Sequence, residues 1–192
     1  MNMQYNASHR GYSIMANENL GYNPKIMDEI IDCIEGYTSH YSRTCIINFG
    51  LNYPQSSQHT TNAPMQEFIG RFKKHLDVRG LRPVYFWVRE QCASDNPHYH
   101  CLLLLDGRKI QNHFALMEEA KRLWGSINRC SGSGLVHYAN DCKMLRTDSS
   151  TYEQDIGDSI FHASYLAKTN TKNHVHPRQR EFSYSYAKPW SK

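Results

Sequence analysis

No apolar run in the 192 residues approaches the roughly 20 needed to span a bilayer. The opening "MNMQYNASHRGYS" lacks the apolar core of a secretory signal. A cytoplasmic location with no membrane partner is therefore expected. Cysteine is sparse and unpaired: Cys33, Cys45, Cys92, Cys101, Cys130 and Cys142 include no C-x-x-C motif. In a reducing compartment they read as small buried hydrophobes or free thiols. The spacing of Cys130, His137 and Cys142 departs from that of ordinary zinc sites, which disfavours a metal there. No G-x-x-x-x-G-K loop occurs, so an ATPase or helicase part is absent, and no repeat at solenoid period is present. The length suits one domain with tails.

Charge is also scarce, with a net of +4, and it is concentrated at one end. Residues 171–192 hold Lys172, Arg178, Arg180, Lys188 and Lys192 against Glu181 alone. Phe182, Tyr184, Tyr186 and Trp190 are interleaved with them. Cations for backbone phosphates and rings for base stacking suit single-stranded nucleic acid, with Lys172, Arg178 and Arg180 as candidate DNA contacts. A basic tail with no such role is the plain alternative.

What is present is a periodic pattern. "NPKIMDEIIDCIEGY" opens with Asn23 as N-cap and Pro24 at the first helical position, and it aligns Met27, Ile30, Ile31 and Ile34 on one face. Thr44 to Tyr53 reads as a strand, closed by Pro54 and a polar loop. From Pro64, the residues Met65, Phe68, Ile69, Phe72 and Leu76 keep helical spacing until Gly80. Pro83 to Gln91 and His98 to Asp106 form a hairpin whose strands are apolar on both faces over part of their length, as central strands are. "IQNHFALMEEAKRLWGS" reads as a helix with Phe114, Met117, Lys121 and Trp124 roughly on one side, and "LVHYA" as a short strand. Tyr152 to Lys168 is a last helix with an Ile156, Ile160, Ala163, Ala167 stripe. The expected fold class is α+β: a ferredoxin-like (RRM-like) antiparallel sheet, β-α-β-β-α-β, followed by one helix.

Two residues apart on a strand, His98 and His100 share a face, while Tyr99 points the other way. The return of the hairpin brings Glu90 near them. Two imidazoles and one carboxylate can hold a divalent cation with positions left for substrate; histidines that merely cap a strand end are the bland reading. An H-x-H-x-D-H metal pattern fails, since Cys101 and Leu102 follow His100. On the last helix, Tyr165 and Lys168 are neighbours three apart. A tyrosine hydroxyl can act as a covalent nucleophile, and an ammonium can steady charge on a phosphate. A boundary tyrosine beside a solvated lysine is the alternative.

"VREQCASDNPHYHCLLLL" followed by "YLAK" resembles the HUH endonucleases, with His98-Tyr99-His100 as the histidine motif and Tyr165-x-x-Lys168 as the nucleophile motif. Glu90 stands where many replication initiators of that superfamily keep a carboxylate ligand. Within it, "YFWVREQ", "NPHYHCLLLLDG" and "ASYLAKTNTK" are most similar to inovirus-type (filamentous-phage) replication endonucleases and to the YagK/YfjJ C-terminal domains of prophages. The likeness covers roughly Thr44 to Lys172, with "TCIINFG" as the first-motif strand. It divides the chain into an arm and helix (1–40), an endonuclease domain (41–172) and the basic aromatic tail (173–192).

The resemblance implies metal-assisted nicking and joining of single-stranded DNA that initiates rolling-circle replication of a phage, prophage or plasmid in a bacterial host cell. Mg²⁺ or Mn²⁺ would sit on Glu90, His98 and His100. Tyr165 would form a 5′-phosphotyrosine bond, helped by Lys168. The implied partners are an origin hairpin and a host replication helicase or polymerase. Phe161 stands four residues before Tyr165, where two-tyrosine initiators carry their other nucleophile; Tyr152 and Tyr138 are poorer candidates, lacking a lysine three or four residues on. A single-tyrosine transposase or relaxase would share this chemistry, although relaxases usually add a third histidine. A non-catalytic single-strand binder is the reading from another class.

Overall fold

The computed structural model describes residues 7–16, 21–55, 57, 61–91, 96–110, 112–138, 142–169 and 179–185. Its main sheet is built on β3 (Arg43–Leu51), β4 (Val84–Glu90) and β5 (His98–Asp106). The shorter strands β6 (Val136–Tyr138), β7 (Lys143–Arg146) and β8 (Phe182–Tyr184) complete it. The order is β6-β3-β5-β4-β8, with β7 also pairing with β3 beyond the end of β6, and every pairing is antiparallel. A separate hairpin joins β1 (Ala7–His9) to β2 (Tyr12–Ile14). Helices α1 (Pro24–Thr38), α2 (Ala63–Val78), α3 (His113–Ile127) and α4 (Tyr152–Ala163) cover the sheet. The molecule is thus a mixed α+β protein with antiparallel sheets and four helices among the described residues.

The sheet is buried on both faces because its central strands alternate two apolar sets. Cys45, Ile47, Phe49, Trp87, Tyr99, Cys101 and Leu103 pack against α2 and α3. Ile46, Val84, Phe86, Val88, Leu102 and Leu104 pack against α1, α4 and the β1–β2 hairpin. The helices present the complementary stripes. Asn23 caps α1 as read, its side chain accepting from the amides of Lys25 and Ile26 at 3.0 and 3.3 Å. Met27, Ile30, Ile31 and Ile34 of α1 are fully buried. Gly80, at φ +68°, takes the left-handed turn that ends α2.

Three differences from the sequence reading have physical causes. The last helix stops being α-helical at Ala163, and Ser164–Ala167 tightens into a 3₁₀ turn. Three residues per turn place positions 165 and 168 nearly above one another. In α3 the buried set is Leu116, Met117, Ala120, Leu123 and Trp124, whereas Phe114 is 44% exposed in the first turn. Residues 182–184, read as part of a tail, form an edge strand: the Phe182 and Tyr184 rings stack on Phe86, each at 5.8 Å. No helix among the described residues is long and apolar enough to cross a membrane.

Candidate metal centre and DNA groove

The hairpin register puts Glu90 directly opposite His98 and Val88 opposite His100. Directly opposed residues in an antiparallel pair share a face, so Glu90, His98 and His100 converge on the α4 side. His98 Nε2 lies 3.2 Å from Glu90 Oε2, and His100 Nε2 lies 3.3 Å from the same oxygen. One ligand atom from each residue fits within 4.8 Å of the others. This is the one such histidine, cysteine and carboxylate group found among the described residues, and the Cys130, His137, Cys142 set is not assembled.

Glu90 is 1% exposed. Burial pushes its carboxyl up, but the adjoining imidazoles of His100 and His98, with the Lys168 ammonium, outweigh that and hold it well below the usual carboxylate range. Two polar atoms are left over. Glu90 Oε1 and His100 Nε2 are buried without a hydrogen-bond partner among the described residues, the 3.3 Å contact being poorly aligned. Buried lone pairs without donors are costly, and a divalent cation between two imidazoles and a carboxylate would satisfy them. The residues therefore fit such an ion, although the donor set alone does not choose among metals.

The 3₁₀ turn brings the other predicted residues to this cluster. The Tyr165 ring meets the His100 ring edge to face at 5.1 Å, and Tyr165 is 39% exposed. Lys168 Nζ donates to the Tyr165 hydroxyl and lies 3.7 Å from Glu90 Oε2. Lysine thus connects the phenol to the carboxylate of the candidate metal cluster. The turn is held by the N-terminal part of the chain: Asn23 N donates to Ala167 O at 2.8 Å, Thr169 N to Gly21 O at 2.9 Å, and Met15 N to Ser164 Oγ at 2.7 Å.

Beside the cluster lies an open groove of about 1000 Å³, walled by Tyr165 and His162 and floored by Asn48, Gly50 and His100, with His137 on its far side. Asn48 and Gly50 share the face of Ile46, and in an otherwise apolar strand their polarity and missing side chain were the sequence signal that went unused. Asn48 Oδ1 is buried and accepts no hydrogen bond among the described residues. A Cβ on Gly50 would meet only backbone oxygens, at 3.7 and 3.9 Å. The fold therefore tolerates a larger residue there, and the glycine keeps the floor low.

Of the candidate DNA contacts, Lys172 and Arg178 lie outside the described residues. Arg180 is exposed. Val88 pairs with Phe182, and Arg89 N donates to Glu181 O at 2.7 Å, so Arg180 follows at the register position of Glu90 on the sheet edge. Asn62, missed in the sequence, anchors it there. Its Nδ2 donates to Arg180 O at 2.9 Å, while its Oδ1 accepts at 3.0 Å from the hydroxyl of Tyr99, the residue between His98 and His100. Phe182 and Tyr184 are packed on Phe86 and make poor stacking platforms; Tyr186 and Trp190 lie outside the described residues.

The sequence profile of the YagK/YfjJ C-terminal domain matches residues 5–185. The chain belongs to this family. The match takes in the first hairpin and β8 as well as the histidine hairpin, so the whole assembly around the groove lies inside this YagK/YfjJ C-terminal domain. No curated protein and no solved structure matches it.

Proposed function

We propose that this YagK/YfjJ C-terminal domain is an HUH-type endonuclease that nicks and joins single-stranded DNA to initiate rolling-circle replication of a phage, prophage or plasmid. One observation carries the reading: the exposed Tyr165 hydroxyl is linked through Lys168 to Glu90, which also meets both imidazoles. A structural tyrosine has no need of that company. The strand order, with the β4–β5 hairpin inserted beside β3 and α2 and α3 on one face, supports reading the sheet as ferredoxin-like.

Glu90, His98 and His100 would hold Mg²⁺ or Mn²⁺, which when bound supplies Lewis-acid polarisation of the scissile phosphate. The chain's own residues do the rest. Lys168 holds the Tyr165 phenol oxygen in place and offers its ammonium to the phosphate charge that grows during attack. The Tyr165 oxygen bonds to phosphorus as the bond from phosphorus to the 3′-oxygen breaks. The phenol proton passes to solvent water, and the departing 3′-oxygen takes a proton from water. The products are a 5′-phosphotyrosine and a free 3′-hydroxyl; attack by a 3′-hydroxyl reverses the step and joins strands. Because the phosphodiester energy is kept in the adduct, no nucleotide hydrolysis is required.

Incubation of the purified protein and Mn²⁺ with labelled single-stranded hairpin oligonucleotides is expected to give a covalent protein–DNA species that survives denaturation. Tyr165→Phe should abolish it while leaving DNA affinity within about twofold, because only the attacking oxygen is removed. An undiminished adduct in Tyr165→Phe would sink the assignment.

A further inference from the structure

Three large apolar side chains are exposed among the described residues: Val78, Phe114 and Tyr165. Single exposed apolar residues are ordinary, but Phe114 is not isolated. Its ring lies 4.1 Å from that of His113 and 6.3 Å from that of Tyr138, and Lys121 Nζ sits 5.1 Å from the Tyr138 centroid. Lys121 also reaches the Tyr138 hydroxyl at 3.5 Å. Three rings and a cation, whose ammonium is also paired with Glu118 at 2.6 Å, thus form one ledge. The α3 core does not need Phe114, since Leu116, Met117, Ala120, Leu123 and Trp124 already fill it.

The ledge stands over the β6 edge from the groove floor: His137, opposite Gly50, shares the floor's face, and Tyr138, opposite Phe49, turns toward α3. Gly50 is opposite His100 on one side and His137 on the other, and Tyr138 is the next residue along β6. From His100 to His137 is therefore two strand spacings, roughly 10 Å, across a floor left low by Gly50. Both His137 and Tyr138 line the groove. A strand bound at Tyr165 can cross this floor and turn over the β6 edge to reach the ledge within a few nucleotides.

We propose that His113, Phe114, Tyr138 and Lys121 form a stacking platform for unpaired bases of the DNA strand on one side of the nick. Stacked rings hold bases with little regard to sequence, and a nearby ammonium serves the backbone. The proposal rests on a single-stranded DNA substrate, as above, but not on cleavage. It also relocates the stacking surface from the C-terminal aromatics, two of which are committed to packing, to the rim of α3 and β6.

The test is fluorescence anisotropy of the full chain with labelled single-stranded oligonucleotides, trimmed stepwise from the 5′ or the 3′ side of the mapped nick or, if none is found, from each end. Phe114→Ala should lose roughly five- to hundredfold in affinity for the long oligonucleotide, the range for removing one stacking aromatic. Phe114→Trp should restore it, and Phe114→Leu, which keeps apolar area without a π face, should not. Trimming one side alone should erase the difference between Phe114→Ala and wild type. Lys121→Gln should flatten the salt dependence of binding by about 0.7 in log–log slope. Equal affinity of Phe114→Ala and wild type for every oligonucleotide would overturn the platform, as would no binding by the wild type. Phe114-dependent binding without a Tyr165 adduct would leave the platform standing and remove the nickase; an adduct indifferent to Phe114 would do the reverse.

Discussion

Strand β5 has two faces with opposite histories. Toward α2 and α3, Tyr99, Cys101, Leu103 and Leu105 are buried along the whole strand, and Tyr99 meets the rings of Tyr53, Trp87 and Trp124. Toward α1 and α4, packing stops at Leu102, and the strand continues as His100 and His98, with side chains 25% and 31% exposed. The dry face fixes the position of the wet one. Tyr99 is locked by aromatic contacts and by Asn62, so the backbone that carries the two histidines has little freedom. A site built on a packed strand holds its ligands more accurately than one built on a loop.

Breaking the dry face should have the largest effect. Tyr99→Ala removes a fully buried aromatic and is expected to cost about 3–5 kcal/mol in urea unfolding. His98→Ala removes only one of three partners of Glu90 and should cost about 1–2 kcal/mol without metal. The order reverses for metal: added Mn²⁺ should raise the melting temperature of the wild type by ligand linkage, and His98→Ala should lose that rise. Equal unfolding costs for the two variants would mean that the faces do not divide the labour in this way.

The packed core on both sides of the sheet was legible because it is written in period two and period 3.6. Leu102 to Leu105, the α1 stripe and the Ile156, Ile160, Ala163 stripe were all read correctly, and so was the hairpin that brings Glu90 to His98. Tyr165 and Lys168 were paired from helical spacing, and they do pair, although a 3₁₀ turn and not an α-helix does it. The remainder lacked local signal. Strands β1, β2, β7 and β8 have three or four residues each, too few for a period to register, and they form because longer neighbours template them. The hold of Met15, Gly21 and Asn23 on the Tyr165 turn depends on contacts roughly 145 residues distant in sequence, which no local pattern encodes.

A sharper contrast comes from Asn48, which sits on the wet face with a buried Oδ1 that has no partner among the described residues. Replacing a buried polar group that makes no hydrogen bond by an apolar one of similar shape removes a desolvation cost. Asn48→Leu is therefore expected to leave the protein unchanged or more stable by about 1 kcal/mol in chemical denaturation, while weakening single-stranded DNA binding. Stability gained as binding is lost marks a residue kept for function. A clear loss of stability would show that the amide is held by the fold and serves packing.

The smallest expected effect separates the two faces most finely. Gly50 lies between His100 and His137, and the space where its Cβ would stand touches only backbone oxygens at ordinary contact distance. Glycine within a strand carries an entropic cost of roughly 0.5–1 kcal/mol relative to alanine, so packing gives no reason to retain it. Gly50→Ala should raise stability by up to about 0.5–1 kcal/mol, and Gly50→Val should fill the groove floor and weaken capture of single-stranded DNA in the anisotropy assay. Because neither change touches Glu90, His98 or His100, the Mn²⁺-dependent rise in melting temperature should persist in both. Loss of that rise in Gly50→Ala would mean that the floor and the Glu90, His98, His100 cluster are one mechanical unit; its retention alongside weaker DNA capture would show that the strand lies across β3 on its way to the β6 edge.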